Sequence, residues 1–93
     1  MNRLTLSATL VERAALRYTP AGLPALDFSL RHESQVLQDG QPRKVTVEIQ
    51  ARAIGEITRR VGVLELGSEH GFAGFLGSQR NGRGVVFHVT ELD

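Results

Sequence analysis

Apolar and polar residues alternate with a period of two in three long stretches of this chain, and this pattern constrains the fold more than any other feature. A period of two is the period of a β-strand that buries one of its two faces. The buried faces predicted in this way are Leu4, Leu6, Ala8 and Leu10 in the first stretch, Leu26, Phe28 and Leu30 in the second, and Val45, Val47, Ile49 and Ala51 in the third. The pattern therefore predicts three β-strands, each with one buried face.

Two further strands are predicted near the end of the chain, over residues 70–76 and 85–92. The segment with helical spacing is Gly55–Gly62, which would form about two turns between the third and the fourth strand. Ile54, Ile57 and Val61 recur there at three and four residues, which suits a short helix that closes one end of a barrel.

Glycine and proline mark the connections between these strands. Asp39-Gly40 predicts a tight hairpin between the second and third strands, because both residues tolerate positive φ. Thr19–Pro24 predicts a turn between the first and second strands. This order is typical of an all-β protein of the OB-fold class, a five-stranded Greek-key barrel with one short helix between strands three and four. An SH3-like barrel is the alternative, although it usually lacks a helix at that place.

Length and composition limit the chain to one small domain, residues 1–93. The composition is 41% hydrophobic and 23% charged, which argues against intrinsic disorder. The absence of cysteine excludes disulfides and thiolate chemistry. We find neither an apolar run of about 20 residues that could span a membrane nor the apolar core of a signal peptide. We therefore expect a cytoplasmic protein that does not enter the membrane.

The residue types that carry catalysis or bind metals are not arranged for either task. His32, His70 and His88 lack the short spacings that bring metal ligands together. No serine lies in a G-x-S-x-G elbow, and the glycine-rich loop at 77–84 lacks the order of a phosphate-binding loop. We therefore predict no catalytic residue, no metal site and no cofactor, and a protein that is not an enzyme.

The basic residues indicate a binding surface, even though the net charge is only +1. Ten of the eleven are arginines, whose planar donors match phosphate oxygens, although GC-rich coding would produce the same bias. In an OB-fold barrel, the loop after strand one, the outer face of strand three and the loop before strand five converge on the oligonucleotide-binding side. The basic residues expected there are Arg17, Arg43, Lys44, Arg52, Arg80 and Arg83.

Aromatic residues that could stack on bases are few. Phe28, Phe72 and Phe87 are predicted to lie in the core, which leaves Tyr18 and Phe75 for the surface. Each stacked base contributes about 1–3 kcal/mol to single-strand binding. We therefore expect binding that depends mainly on charge and weakens strongly with salt.

The first strand is predicted to form a two-fold dimer by pairing with the same strand of a second copy. Its outer face carries no lysine or proline that would deter such pairing. The interface residues predicted on this strand are Arg3, Thr5, Ser7 and Thr9.

Several segments resemble bacterial single-stranded-DNA-binding proteins. They are residues 2–10 (NRLTLSATL), 16–24 (LRYTPAGLP) and 27–30 (DFSL). The continuation His32-Glu33-Ser34, and the short distance from Gly74-Phe75-Leu76 to Glu91-Leu92, resemble the primosomal replication protein N (PriB) branch of that group.

The resemblance implies a homodimeric OB-fold that binds single-stranded DNA and assists the PriA helicase in replication restart, with DnaT as a further partner in some bacteria. It carries over to Arg17, Arg80 and Arg83 as basic DNA-binding positions. Members of the branch place aromatics where this chain has Gln41 and Thr46, which predicts weaker single-strand binding here. A protein-protein adaptor with little DNA binding and a general single-stranded nucleic-acid-binding protein, including one for RNA, are the alternatives.

Overall fold

The computed structural model describes residues 1–79 and 82–93 and consists mainly of β-strand. Its elements in chain order are β1 (Leu4–Arg13), β2 (Arg17–Tyr18), β3 (Pro24–Gln38), β4 (Gln41–Ile54), α1 (Ile57–Gly62), β5 (Glu69–Ser78) and β6 (Val85–Leu92). The five long strands and the helix are those that the alternation and spacing predict. The two-residue strand β2 lies in what the sequence predicts as a loop, and it pairs with the start of β3.

The five long strands close into a barrel, which confirms the predicted OB-fold. The strand order is β1-β5-β6-β4-β3-β2, and an additional pairing of β1 with β3 closes the sheet. The first half of β1 pairs with β5 and its second half pairs with β3, with a register shift between Leu10 and Glu12. The pairing of β4 with β6 is parallel and the other pairings are antiparallel.

The core is formed by the apolar faces of the strands and by one side chain of the helix. Leu10, Leu30, Phe72 and Phe87 are completely buried, as alternation predicts for strands whose other face meets water. Val61 of α1 is also completely buried and joins the same core, so the helix covers the barrel as expected. Ile54 differs from its predicted role, since it ends β4 and is 42% exposed on the outer surface.

The hairpin of β3 and β4 is longer than the polar composition of residues 32–43 suggests. Its turn is the predicted Asp39-Gly40, with φ of 52° and 75°. Strand pairing continues up to Gln38 and Gln41, directly beside the turn. The expected burial of Val47 is wrong, because this side chain is 42% exposed on a part of the hairpin that is outside the core cluster.

Within residues 1–79 and 82–93, no helix is long and apolar enough to cross a membrane.

Candidate nucleic-acid interface

A row of four side chains crosses the outside of the barrel perpendicular to the strands. Asp27 of β3 lies opposite Arg52 of β4, Arg52 lies beside His88 of β6, and His88 lies opposite Phe75 of β5. These residues are far apart in sequence and meet only through the strand register. We call Asp27, Arg52, His88 and Phe75 the transverse row.

At one end of the row, two predicted DNA-binding arginines bind the same carboxylate. Arg17 donates from Nε and Nη2 to Asp27 Oδ2 at 3.1 and 3.0 Å, and Arg52 donates from Nε to Asp27 Oδ1 at 2.7 Å. Burial by itself would raise the pKa of Asp27, but the hydrogen bonds and charges of Arg52 and Arg17 outweigh it and lower the pKa from 3.8. Asp27 is therefore ionised at neutral pH and offsets part of the positive charge that the sequence predicts here.

At the other end of the row, Phe75 stacks on His88. The ring centroids are 4.7 Å apart and the ring planes are within 7° of parallel. Burial and the charge of Arg52 lower the pKa of His88 from 6.5, which favours the neutral form of the ring. Gly77 leaves room for this ring, since a Cβ there would lie 3.0 Å from His88 Nε2. Phe75 is 42% exposed, so its ring presents a flat apolar surface to solvent.

An open cleft lies beside Arg52, His88 and Phe75 of the row. The larger part of this cleft has a volume of about 720 Å³ and contains Arg17 and Tyr18 beside Arg52 and His88. A second depression of about 320 Å³ shares Arg52 and His88 and extends to Phe75. Tyr18 is 67% exposed, and its hydroxyl makes no hydrogen bond with any described residue. The cleft therefore combines two cations with two exposed aromatic rings.

The other predicted basic residues do not all join this cleft. Lys44 lies on the hairpin, eight residues from Arg52, which corresponds to roughly 26 Å along an extended strand. Arg43 is beside it and donates from Nη1 to Gln38 Oε1 at 2.8 Å. Arg83 is exposed in the connection from β5 to β6, and Ser78 at the base of that connection lines the cleft. Arg80 lies outside the described residues. The structure therefore places Arg17 and Arg52 at the cleft and Arg43 and Lys44 outside its lining.

His88 belongs to the transverse row, although the sequence predicts no site there. It has no second histidine at a metal-binding spacing in the chain. The signal that could have found it is alternation, which places His88 on the outer face of β6 between the buried Phe87 and Val89. Among the described residues, no three histidines or carboxylates are grouped in a way that could hold a metal ion.

The predicted dimer residues lie on or beside β1. Over residues 4–8 this strand pairs with β5 alone, and its pairing with β3 begins at Thr9. The Ser7 carbonyl points away from β5 and accepts a hydrogen bond of 2.6 Å from His32 Nδ1. Arg3 forms an exposed ion pair with Glu91 at 2.8 Å. The unpaired edge of β1 therefore ends before Thr9, because Thr9 is paired with both β3 and β5.

Comparisons with known proteins identify the family of this chain. A family model described as another single-strand binding protein family matches residues 2–91. The replication restart protein PriB of Bordetella pertussis is 46% identical over 80 residues, which cover 86% of this chain and 75% of that protein. PriB of Nitrosomonas europaea is 33% identical over 91 residues, which cover 97% of this chain and 84% of that protein.

Solved structures show the same similarity in three dimensions. PriB from Ralstonia solanacearum has a TM-score of 0.92 and 34% identity, and the match covers all of this chain and 96% of that one. The single-stranded DNA binding protein from Thermus aquaticus has a TM-score of 0.78 and 30% identity over all of this chain and 49% of that one. The chain therefore belongs to the PriB family of replication restart proteins, within the wider group of single-strand binding proteins.

Proposed function

We propose that this protein binds single-stranded DNA without sequence preference, through the cleft and the transverse row, and thereby assists a PriA helicase in replication restart. The observation that carries the proposal is the placement of Arg17 and Arg52 beside the exposed rings of Tyr18 and Phe75 in one open cleft. Single-strand binding combines these two components, since cations bind the backbone and aromatic rings stack on bases.

The chemistry of the cleft supports binding without sequence preference. Nε of Arg52 donates a hydrogen bond to Asp27. The two terminal nitrogens of Arg52 make no hydrogen bond with the described residues and can therefore bind phosphate oxygens. Phe75 and Tyr18 offer ring faces, on which any base can stack. Phe75, backed by His88, supplies an aromatic surface on β5 in a chain that lacks aromatics at Gln41 and Thr46.

Fluorescence anisotropy of a labelled 30-nucleotide thymidine strand, across a salt series, tests the proposal. We expect single-stranded DNA to bind more tightly than a duplex of the same length, because only unpaired bases reach the aromatic rings. If about three phosphates are neutralised, log K will fall with log salt with a slope near −2. Equal binding of an RNA strand would favour the general nucleic-acid-binding alternative. No binding at low salt would contradict the proposal and favour the protein-protein adaptor.

Asp27→Asn is expected to tighten single-strand binding about fivefold at roughly 0.1 M salt. The slope of log K against log salt should also become steeper, by about 0.7 for each additional phosphate that the protein neutralises. The substitution removes the negative charge that Arg17 and Arg52 share, while the asparagine oxygen still accepts a hydrogen bond. Glu91→Gln is the matched control, since it changes the net charge equally at the exposed Arg3 ion pair away from the cleft. An equal increase in affinity in both variants would show that net charge, and not the cleft, determines the affinity.

We propose that the protein acts as a two-fold dimer through the open edge of β1. An unpaired strand edge invites pairing with a second chain. Because the Ser7 carbonyl points to this edge, the N–H of Thr5 two residues earlier also points to it. Thr5→Pro removes that donor without losing a bond to β5.

Sedimentation equilibrium at micromolar concentration should then give a dimer for the natural chain and for Thr5→Val, and a monomer for Thr5→Pro. Circular dichroism checks that the variants remain folded. A monomeric natural chain, or a dimeric Thr5→Pro variant, would refute this interface.

The partners that we propose are single-stranded DNA, a PriA helicase and, in some bacteria, DnaT, and the place of action is the cytoplasm. Similarity to proteins named replication restart protein PriB supports this assignment. We propose a binding role without catalysis, since the family is one of binding proteins.

A further inference from the structure

A second concave surface lies on the other side of α1 from the transverse row. It is a groove of about 350 Å³ between the helix and the segment that joins β1 to β2. Ile57 of the same helix faces the depression beside the transverse row, so α1 separates the two surfaces. The lining of the groove includes Arg13, Leu16, Leu26, Arg59, Gly62 and Val63, and no residue of the groove lines the cleft.

The groove exposes apolar side chains that contribute little to the core. Leu16 is 50% exposed and Val63 is 80% exposed, while the groove floor is formed by Leu26, which is buried. Neighbouring exposed apolar groups gain free energy when a partner side chain removes them from water. The groove can therefore receive a bulky apolar side chain.

The charged residues that line the groove are all basic. Arg13 is held in place because its Nη1 donates to the carbonyls of Val61 and Leu64 at 3.2 and 2.6 Å. The guanidinium of Arg59 makes no hydrogen bond or ion pair with any described residue, so it is available at the rim of the groove. The guanidinium of Arg60 is equally without a partner among the described residues, but Arg60 does not line the groove.

From these observations we infer that the groove is a docking site for an acidic peptide segment that carries a large apolar residue. The apolar side chain lies over Leu26 between Leu16 and Val63, and a carboxylate of the peptide pairs with Arg59. Charge complementarity selects this partner over a neutral or basic one. The inference does not depend on DNA binding, because the groove and the cleft share no lining residue.

A labelled acidic peptide with an apolar end (DDELF) is the probe, and its binding to the full chain is measured by anisotropy at about 0.15 M salt. We expect a Kd of about 10–100 µM, with at least about tenfold weaker binding of the neutral peptide NNQLF and of the acidic peptide DDESG that lacks the apolar end. A saturating thymidine strand should leave peptide binding unchanged, since the two surfaces are separate.

Two variants locate the site. Arg59→Glu should weaken peptide binding about tenfold, while Arg60→Glu, with the same change in net charge on the same helix, should change it by about twofold or less. Gly62→Leu should block the groove without strain in the free protein, because no heavy atom lies within 4 Å of a Cβ built there.

The proposed docking site is contradicted if the peptide DDELF does not bind at about 1 mM, or if Arg60→Glu weakens peptide binding as much as Arg59→Glu does. Displacement of the peptide by the thymidine strand would assign it to the cleft instead. A peptide that dissociates a dimer of the protein would assign the groove to a second copy. Each of these results overturns the inference, and thermal unfolding confirms that every variant is folded.

Discussion

Gly74→Ala is expected to destabilise the protein by about 4 kcal/mol, a large part of the total stability of a domain of this size. A Cβ at this position would lie 1.8 Å from the His88 carbonyl oxygen and 3.1 Å from the Thr90 nitrogen. Both atoms belong to the β6 backbone and cannot rotate away as a side chain could. Gly74 also lies where the register of β5 and β6 shifts, so relief of the clash would disturb the pairing that holds His88 beside Phe75.

Urea unfolding followed by circular dichroism measures this effect. Gly62→Ala is the matched control, because a Cβ there meets nothing within 4 Å, and its stability should be unchanged or higher by up to about 1 kcal/mol. If Gly62→Ala is recovered in folded form and Gly74→Ala is not, that result also supports the predicted loss of stability in Gly74→Ala. A Gly74→Ala variant within about 1 kcal/mol of the natural chain would contradict the tight contact between β5 and β6.

Phe75→Ala is expected to weaken single-strand binding at least about fivefold, the second large effect. The substitution removes an exposed ring that is held flat by His88, and one base-stacking contact contributes about 1–3 kcal/mol. The salt slope should remain that of the natural chain, because no cation is lost. This combination separates the role of the aromatic ring from that of the arginines, and the anisotropy series described above measures both quantities.

Two controls make the result specific to the ring. Phe75→Tyr keeps a flat aromatic face and should retain binding within about threefold, since tyrosine stacks on bases as phenylalanine does. Leu66→Ala removes a comparably exposed apolar side chain outside the cleft and should leave the affinity unchanged. Loss of binding in Phe75→Tyr, or equal loss in Leu66→Ala, would show that Phe75 does not stack on bases.

Alternation and turn chemistry predicted the fold because both act over a few residues. The buried Leu10, Leu30 and Phe87 follow from a period of two, and the positive φ of Asp39 follows from the residue types at the turn. One exception is the exposed Val47, which lies on a strand whose local pattern is correct but whose hairpin extends beyond the core. The alternation of apolar and polar residues predicts which side chains share one face of a strand. It does not predict whether that face packs against the core or contacts solvent.

The five long strands, the tight turn, the short helix and the family can all be predicted from the amino-acid sequence. Which outer-face residues meet depends on the folded barrel, because the transverse row depends on the register of three strand pairs, one of them the parallel pairing of β4 with β6. Register and barrel closure are set by contacts between residues far apart in the chain. For this reason Arg52 meets Asp27 and His88, while Lys44 on the same face of the same strand lies roughly 26 Å away.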